Sequence, residues 1–381
     1  MTRCTKCIIP DSFPRVTFEE GVCIFCRKLQ TLDKIPKPRG KDAMVKDLPA
    51  RGASSYDCLV PLSGGKDSGY ALHYVVKELG LKPLAASFDH GFVADMAKHN
   101  VARLCEKYGV ELVVGHAGPF RRKVIVEALR LSRSAGRIQS VCACCENDLR
   151  TFAMRVARER GIPAIIWGAT TFEDSPWVFL NPQVMSTSHG YGQRRFAARL
   201  EAAKRMFGRL FGGTGVVGKC GTLYHLGLHF MYCVAHNFQN RAGKFWQRLN
   251  PYMEVAWDLG NVKPFYLYDY IDYAPVTFMK TLSEEVGWEA PGDREIRFDC
   301  TLHCLDNHQF LKDTGITLDG FTLATLARYG RLSRDDALRK ELAMQESLAE
   351  NVRHIGDLLK VDLSGICSAK GCSGRASGTP A

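Results

Sequence analysis

The sequence predicts an α/β protein with a parallel-sheet core, a small cysteine-rich knob before the core and a mainly helical region after it. Between residue 56 and about residue 175, short apolar runs alternate with amphipathic segments. This alternation is typical of strands joined by crossover helices, which form a parallel sheet covered by helices on both faces. With 381 residues, the chain is long enough to bury a core and to hold two or three domains.

The elements of the core follow from the apolar pattern. We expect strands over residues 56–62, 83–88, 110–115 and 163–167. We expect helices near residues 68–79, 94–108, 119–133 and 147–160. Ligands of such a sheet bind at the carboxyl ends of its strands. Residues 63–68, Asp89 and Gly168 all follow predicted strands, so the sequence places them at that edge.

Composition divides the chain into six parts. They are a knob (1–30), a basic linker (31–55), the α/β core (56–175), a partly helical insertion (176–250), a C-terminal region for substrate or partner (251–350) and a largely flexible tail (351–381). The linker is rich in Lys, Arg and Pro, and the tail in small polar residues. Within the C-terminal region, 261–275 reads as an extended aromatic segment, and helical periodicity returns near 321–350.

The segment SGGKDS, residues 63–68, joins the first predicted strand of the core to its first helix. Glycines let the backbone come close to an anion, and the free amides at a helix N-terminus attract negative charge. Lys66 adds a positive charge at the same place. The loop is not of the Walker type, which needs Gly where Val60 stands and Ser or Thr where Asp67 stands. The sequence therefore predicts a phosphate site, with an ordinary surface turn as the weaker alternative.

SGGKDS after an apolar strand resembles the PP-loop of the ATP pyrophosphatases. The resemblance implies a HUP-like, adenine nucleotide α-hydrolase fold and adenylation of an acceptor oxygen with release of pyrophosphate. The ATP-binding residues that it implies are Ser63, Gly64, Gly65, Lys66, Asp67, Ser68, Asp89 and Gly168. We expect Lys66 and Mg²⁺ to stabilise charge on the phosphates, and Asp67 to hold Mg²⁺ or the loop itself.

Four cysteines near the N-terminus follow the pattern C-x2-C-x15-C-x2-C, and they are Cys4, Cys7, Cys23 and Cys26. Two thiolate knuckles at this spacing can surround one tetrahedral Zn²⁺, and such small units often cannot build a core without the ion. The pattern predicts a structural, zinc-ribbon-like knob, with four unrelated buried thiols as the alternative. Fifteen cysteines without an apolar leader are typical of thiols and metal ligands in a reducing cytoplasm.

A second cysteine group, CACC, contains Cys142 and Cys145 just before a predicted helix. We expect this pair near the nucleotide site. Three interpretations stay open: core thiols, two ligands of an iron–sulfur cluster, or a persulfide-carrying catalytic pair. A cluster needs a further ligand, for which Cys300 or Cys220 could serve. Cys300 belongs to FDCTLHCLDNH, a polar cluster that suggests the rim of an active site.

Residues 220–238 contain no Lys, Arg, Asp or Glu. Their three histidines and several polar residues make a membrane span unconvincing, so we expect a buried or partner-facing helix and no membrane association. On a helix, His225, His229 and Cys233 share one face, which could bind a metal, although core histidines are commoner.

Several longer stretches resemble bacterial N-acetyl sugar amidotransferases of surface-polysaccharide and nonulosonic acid synthesis. They are RCTKCIIPDSFPRVTFEEGVCIFC, YDCLVPLSGGKDSGYALHYV, CACC with the later IPAIIWG, RFDCTLHCLDNH and RYGRLSRDDAL (328–338). This likeness implies that an acetamido group on a free or nucleotide-linked sugar is adenylated and then attacked by ammonia to give an acetamidino group. A separate glutaminase subunit is the implied source of ammonia.

The main alternative is an ATP-dependent tRNA sulfurtransferase, because such enzymes also combine cysteine knuckles with SGGKDS. The formal net charge of +11 fits an acidic substrate, which is either tRNA or a nucleotide sugar. A nucleotide-sensing module without catalytic activity is the third interpretation. The intact loop and the nearby cysteines argue against it.

Overall fold

The computed structural model describes residues 2–14, 16–27, 38–52, 54–117, 126, 129, 142–170, 172, 261–290, 292 and 298–363, with the backbone alone at 142–148. Most of the predicted helix 119–133 and the whole insertion 176–250 lie outside these residues. The same holds for the group of His225, His229 and Cys233. In the part of the chain that is described, no helix combines the length and apolar character that crossing a membrane requires.

The described strands are β1 (Phe18–Glu19), β2 (Val22–Cys23), β3 (Cys58–Pro61), β4 (Pro83–Asp89), β5 (Leu112–His116), β6 (Ala164–Trp167) and β7 (Lys263–Tyr266). The helices are α1 (Ile24–Arg27), α2 (Lys41–Asp47), α3 (Lys66–His73), α4 (Asp95–Tyr108), α5 (Cys142–Glu159), α6 (Pro275–Val286), α7 (His303–Thr314), α8 (Leu318–Arg328) and α9 (Arg334–Leu359). A π-helical turn (Tyr74–Glu78) continues α3, and a 3₁₀ turn (Leu267–Asp269) follows β7.

Within the described residues, five parallel strands form the central sheet in the order β5-β4-β3-β6-β7. The four strands that the sequence predicted are therefore confirmed, with small shifts at their ends. The helix predicted over 147–160 starts earlier, at Cys142, so the CACC segment is the first turn of α5 and does not precede it. The predicted α/β class with a parallel sheet is confirmed.

Strand β7 adds a fifth member to the sheet from a segment that the sequence indicated only as extended and aromatic. It pairs in parallel with β6 along its whole length. Its first two residues, Lys263 and Pro264, are exposed, and Phe265 is buried. Proline is tolerated on an edge strand because no neighbour needs its missing N–H. The sheet thus extends beyond the boundary that composition drew at residue 175.

Helices cover both faces of the sheet, as expected. On one face, α3, α4 and α6 pack with alternate strand residues such as Val60 and Ile166. On the other face, α5 packs with the intervening residues, such as Leu59 and Ile165. Successive strand residues point to opposite faces, so a strand buried on both sides has a continuous apolar run.

Two segments that composition described as linker and tail contribute to the fold. Residues 31–55 contain α2, whose Met44 is fully buried against the core of α3 and α4. The N–H of Gly40 donates to the Tyr270 carbonyl and fixes the start of α2. Similarly, α9 runs past residue 350 and buries Val352 and Ile355. In both places an amphipathic helix lies within a stretch of mostly polar residues, so composition alone indicated a linker and a tail.

The knob shares a hydrophobic core with the C-terminal helices. Phe13 stacks on Phe321 of α8, with ring centroids 5.5 Å apart, and packs edge-on against Phe25 of α1. The Arg334 guanidinium donates through Nε to the carbonyl oxygens of Cys4 (2.9 Å) and Cys7 (3.2 Å). The knob and the helical region are therefore one packed unit in the structure.

We predict that Phe13→Ala lowers the free energy of unfolding by about 3 to 5 kcal/mol, because it removes a ring buried among three others. Val45→Ala, at a side chain that is 55% exposed, is the control and should change it by less than about 0.5 kcal/mol. Urea unfolding followed by circular dichroism measures both. Equal stability of the two variants would show that the knob does not depend on this core.

Candidate functional site

The phosphate loop predicted at residues 63–68 lies between the carboxyl end of β3 and the first turn of α3. Gly64 has φ +88°, in the left-handed region, and a Cβ there would stand 2.3 Å from the Ala97 carbonyl oxygen. Only glycine fits this position. Gly65 is the N-cap of α3, so the free amides of the helix start open onto the loop. The strand, loop and helix order expected from the sequence is confirmed.

Two hydroxyl groups brace the inside of the loop. Ser68 Oγ accepts the N–H of Ser63 at 3.1 Å and lies 3.2 Å from Ser63 Oγ. The N–H of Gly65 donates to Ser63 Oγ at 3.3 Å. Hydroxyls can donate as well as accept, so both can turn toward phosphate oxygens. The loop thus concentrates N–H and O–H groups at a helix N-terminus.

Lys66 and Asp67 form an ion pair at this helix start, with Lys66 Nζ 2.8 Å from Asp67 Oδ2. Their side chains are only 12% and 14% exposed. An ion pair that water reaches poorly is screened less than a surface pair. The arrangement supplies one cation for phosphate and one carboxylate for a hard metal ion. Their catalytic roles stay predictions.

The two other predicted ATP residues lie on the neighbouring strands. Asp89 ends β4, where Oδ1 accepts the N–H of Gly91 at 2.8 Å and Oδ2 lies 3.0 Å from Lys98 Nζ. Burial by itself raises the pKa of Asp89, but these two contacts outweigh it and hold the pKa below its ordinary value. Gly168 follows β6. All the predicted ATP residues therefore lie at the carboxyl edge of β4, β3 and β6.

Gly168 is in direct contact with the phosphate loop. A Cβ at this position would stand 2.5 Å from the carbonyl oxygen of Asp67 and 2.8 Å from Cα of Ser68. Both of these neighbours are backbone atoms, which cannot rotate away as a side chain can. The loop of β3 therefore packs on the backbone at the end of β6.

The segment that contains Asp299 and Cys300 lies beside the phosphate loop. Cys300 forms an antiparallel bridge with Val93, and the N–H of Thr301 donates to the Phe92 carbonyl at 2.9 Å. A Cβ on Gly65 would stand 3.9 Å from Asp299 Oδ2. Burial raises the pKa of the Cys300 thiol to about 12, so the free thiol is neutral at pH 7. A metal ion bound there would replace its proton.

Cys142 and Cys145 stand in the first turn of α5, where the structure describes only the backbone. The 18-residue helix is about 27 Å long and ends at Glu159, a few residues before β6 begins. A crossover helix runs opposite to the strands, so its start lies toward their carboxyl ends. The topology thus brings Cys142, Cys145 and Cys300 to the edge that holds the phosphate loop. Their ligands stay predictions.

Three side chains from outside the motif bind the backbone of the loop, and the sequence analysis missed them. The Tyr268 hydroxyl donates to the Asp67 carbonyl at 2.9 Å. The Trp288 indole and the Asn100 amide donate to the Gly64 carbonyl at 3.0 Å and 3.4 Å. No local motif marks these residues, because their contacts span from 36 to 224 positions of the chain.

The four N-terminal cysteines come together as predicted, with all four buried sulfur atoms within 4.8 Å of one another. Cys4 and Cys26 Sγ are 3.8 Å apart, and Cys7 and Cys23 Sγ are 3.6 Å apart. A tetrahedral zinc with Zn–S bonds of about 2.3 Å requires sulfur–sulfur distances of about 3.8 Å. The donor set and its spacing therefore fit a tetrathiolate metal site.

Backbone N–H groups and a buried guanidinium lie close to the sulfur atoms of this site. Cys4 Sγ lies 3.5 Å from the N–H of Cys7 and 3.3 Å from that of Cys23. Hydrogen bonds among the four sulfur atoms hold the pKa of Cys4 and Cys7 below its ordinary value and that of Cys26 above it. Arg328 Nη2 lies 4.0 Å from Cys7 Sγ, and its side chain is buried. A buried guanidinium can offset the negative charge of four thiolates around a divalent ion.

We predict that ATP binding weakens by about five- to 150-fold in Gly168→Ala, since overpacking against rigid backbone costs about 1 to 3 kcal/mol. Gly52→Ala is the matched control, because a Cβ at Gly52 meets nothing within 4 Å. Isothermal titration calorimetry with ATP and Mg²⁺ compares the two variants. Wild-type affinity in Gly168→Ala would contradict the placement of the nucleotide at this edge.

We predict that the purified protein carries one bound zinc that Cys7→Ser loses, together with a lower melting temperature. Structural zinc sites contribute directly to folding, and the knob shares its core with α8. Cys105→Ala is the control, because Cys105 is another buried thiol that lies outside the cluster. Metal analysis and thermal unfolding give the two readouts. A metal-free wild-type protein as stable as the zinc-loaded one would overturn this prediction.

Comparisons with known proteins leave the family open. No protein-family model matches the chain. Two uncharacterized proteins of Methanocaldococcus jannaschii are similar to parts of it. MJ1016 is 26% identical over 156 residues, which is 41% of this chain and 48% of that protein. MJ1599 is 24% identical over 174 residues, which is 44% of this chain and 58% of that protein. The chain thus spans about half the length of the curated relatives that it matches.

Among solved structures, the chain is similar to the U34-tRNA thiolase NcsA from Methanococcus maripaludis with its 4Fe-4S cluster. The two share 15% identity at a TM-score of 0.35, over 97% of this chain and 96% of that one. A likeness at this TM-score carries no argument about the function of the present chain.

Proposed function

We propose that this chain is an ATP-dependent enzyme that activates an acceptor oxygen by adenylation and releases pyrophosphate. The observation that carries this proposal is the loop of residues 63–68, which collects amides, hydroxyls and a cation at the N-terminus of α3. Such a site favours binding of the outer phosphates of ATP. The α-phosphorus then stands toward the carboxyl edge of the sheet, where the acceptor can reach it.

In this proposal, Lys66 offsets charge on the leaving pyrophosphate, and Asp67 helps to hold Mg²⁺. The acceptor oxygen attacks the α-phosphorus, the bond to the β-phosphate bridge breaks, and pyrophosphate leaves. A nucleophile next adds to the activated carbon. The bond between that carbon and the adenylated oxygen then breaks, so that the oxygen leaves with AMP. Positioned positive charge and N–H donors favour this step because they stabilise charge that develops on the phosphates.

For the acceptor, the position of the cysteines favours a base carbonyl of tRNA, with sulfur as the nucleophile. Cys300 lies beside the phosphate loop, and the turn with Cys142 and Cys145 is at the same edge. Three thiols at that edge could hold an iron–sulfur cluster or a persulfide, which when present would supply or hold the sulfur. The net charge of +11 suits a polyanionic substrate.

A second candidate is the amidination of an acetamido sugar, with ammonia from a separate glutaminase. The sequence stretches that resemble sugar amidotransferases include the knob and residues 328–338. In the structure these two stretches pack together, because Arg334 donates to the carbonyls of Cys4 and Cys7. The two stretches that carry the resemblance are therefore neighbours in the fold. The reactions of the two candidates differ only in the acceptor and the nucleophile, so both share the adenylation step that uses ATP.

The deciding experiment measures pyrophosphate release by full-length protein purified without oxygen. One set of reactions contains ATP, Mg²⁺, sulfide and bulk tRNA. A parallel set contains ATP, Mg²⁺, ammonium and a panel of acetamido nucleotide sugars. We expect pyrophosphate release that requires tRNA, with sulfide needed only for repeated turnover, and mass spectrometry should find one nucleoside with sulfur in place of oxygen.

Variants separate the two halves of the mechanism. Lys66→Met should abolish pyrophosphate release, and Cys300→Ala should abolish sulfur transfer, whereas Cys105→Ala should keep both. Pyrophosphate release that requires sugar and ammonium would show that the acceptor is the sugar and not tRNA. ATP binding without release in either set would instead support a nucleotide-sensing module and overturn the enzymatic proposal.

A further inference from the structure

We infer that Trp288 and Asn100 are positioning residues that orient the phosphate loop by holding the Gly64 carbonyl. This inference rests on the proposed binding of ATP at residues 63–68. Both side chains are buried, with exposed fractions of 2% for Trp288 and 0% for Asn100. Trp288 Nε1 donates to Gly64 O at 3.0 Å, and Asn100 Nδ2 donates to the same oxygen at 3.4 Å. A carbonyl oxygen has two lone pairs, and here each faces a donor.

The orientation of this carbonyl determines where the next N–H points. No cis peptide bond occurs among the described residues, and in a trans peptide the C=O and N–H groups point in opposite directions. Because the Gly64 oxygen is turned toward Trp288 and Asn100, the Gly65 N–H faces the inside of the loop. There it donates to Ser63 Oγ at 3.3 Å. This is the side on which a phosphate would lie.

The Gly64–Gly65 peptide needs an external anchor. Two successive glycines leave the peptide plane more freedom than any other residue pair, and Gly64 already has φ +88°. A plane that rotated would turn an acceptor oxygen toward the phosphate in place of a donor. The two hydrogen bonds therefore select the rotation in which an anion meets an N–H group.

The anchor is itself held firmly. Asn100 accepts the N–H of Glu289 at 2.9 Å through Oδ1 and donates to the Glu289 carbonyl at 3.0 Å. Arg103 donates to the Gly287 carbonyl at 2.8 Å and forms an ion pair with the Glu289 carboxylate. Trp288 contributes to the core formed by α3, α4 and α6, which fixes its ring. The segment that ends α6 is thus attached to α4 on one side and to the phosphate loop on the other.

The test uses Trp288→Phe in the full-length protein, a change that keeps an aromatic ring and removes the N–H donor. We expect the dissociation constants for ATP and for pyrophosphate to rise together by about tenfold, since an unpaired buried acceptor disfavours the productive loop. Asn100→Leu, of similar volume, should act in the same direction. Calorimetric titration gives both constants, and circular dichroism confirms folding.

The matched control is Tyr108→Phe, which removes a hydroxyl that bonds to His73 Nδ1 at 2.7 Å elsewhere in the same core. It should affect melting temperature but leave both dissociation constants unchanged. If Trp288→Phe does not fold, Asn100→Leu decides the question. Wild-type affinity in the folded variants would overturn this inference alone. A wild-type protein that binds neither ATP nor pyrophosphate would overturn the proposed function.

Discussion

The candidate site depends on one steric constraint, the direct approach of backbone to backbone around the phosphate loop. Gly64 lies against the carbonyl of Ala97 in α4, and Gly168 lies against Asp67 and Ser68 at the start of α3. In both places a single methyl group would overlap main-chain atoms. Because no side chain separates these segments, the ends of β3 and β6 and the first turns of α3 and α4 hold each other in place. A loop confined in this way presents its amides in one arrangement.

Residues far along the chain complete this arrangement. Strand β7 extends the sheet beside β6, and the turn after it brings the Tyr268 hydroxyl to the Asp67 carbonyl. Trp288 reaches the same loop from the end of α6, and Asp299 lies beside Gly65. The phosphate loop is therefore not a unit that residues 56–175 could build alone. Two of its backbone carbonyls, those of Gly64 and Asp67, accept hydrogen bonds from side chains in the second half of the chain.

The cysteine knob is joined to the rest of the fold by both apolar and polar contacts. Phe13 and Phe25 pack with Phe321 of α8, while Arg328 and Arg334 approach the cysteine cluster from the helical side. Binding a metal at four thiolates orders the segment between them. Since that segment forms part of the core of α8, a metal ion bound there would stabilise the packing of the helical region as well.

The sequence by itself determined the parallel α/β core, four of the five strands in its described sheet, the strand–loop–helix order around residues 63–68 and the cysteine cluster. Each of these is a local pattern, in which apolar periodicity, glycine placement or ligand spacing fixes the outcome within a short stretch. Only the tertiary structure revealed β7, the helix α2 with its buried Met44, and the hydrogen bonds from Trp288, Asn100 and Tyr268. These features depend on which distant segments meet. A tryptophan or an asparagine that donates a hydrogen bond to one carbonyl oxygen leaves no periodic pattern in the sequence. Its partner depends on how distant segments pack and not on their spacing along the chain.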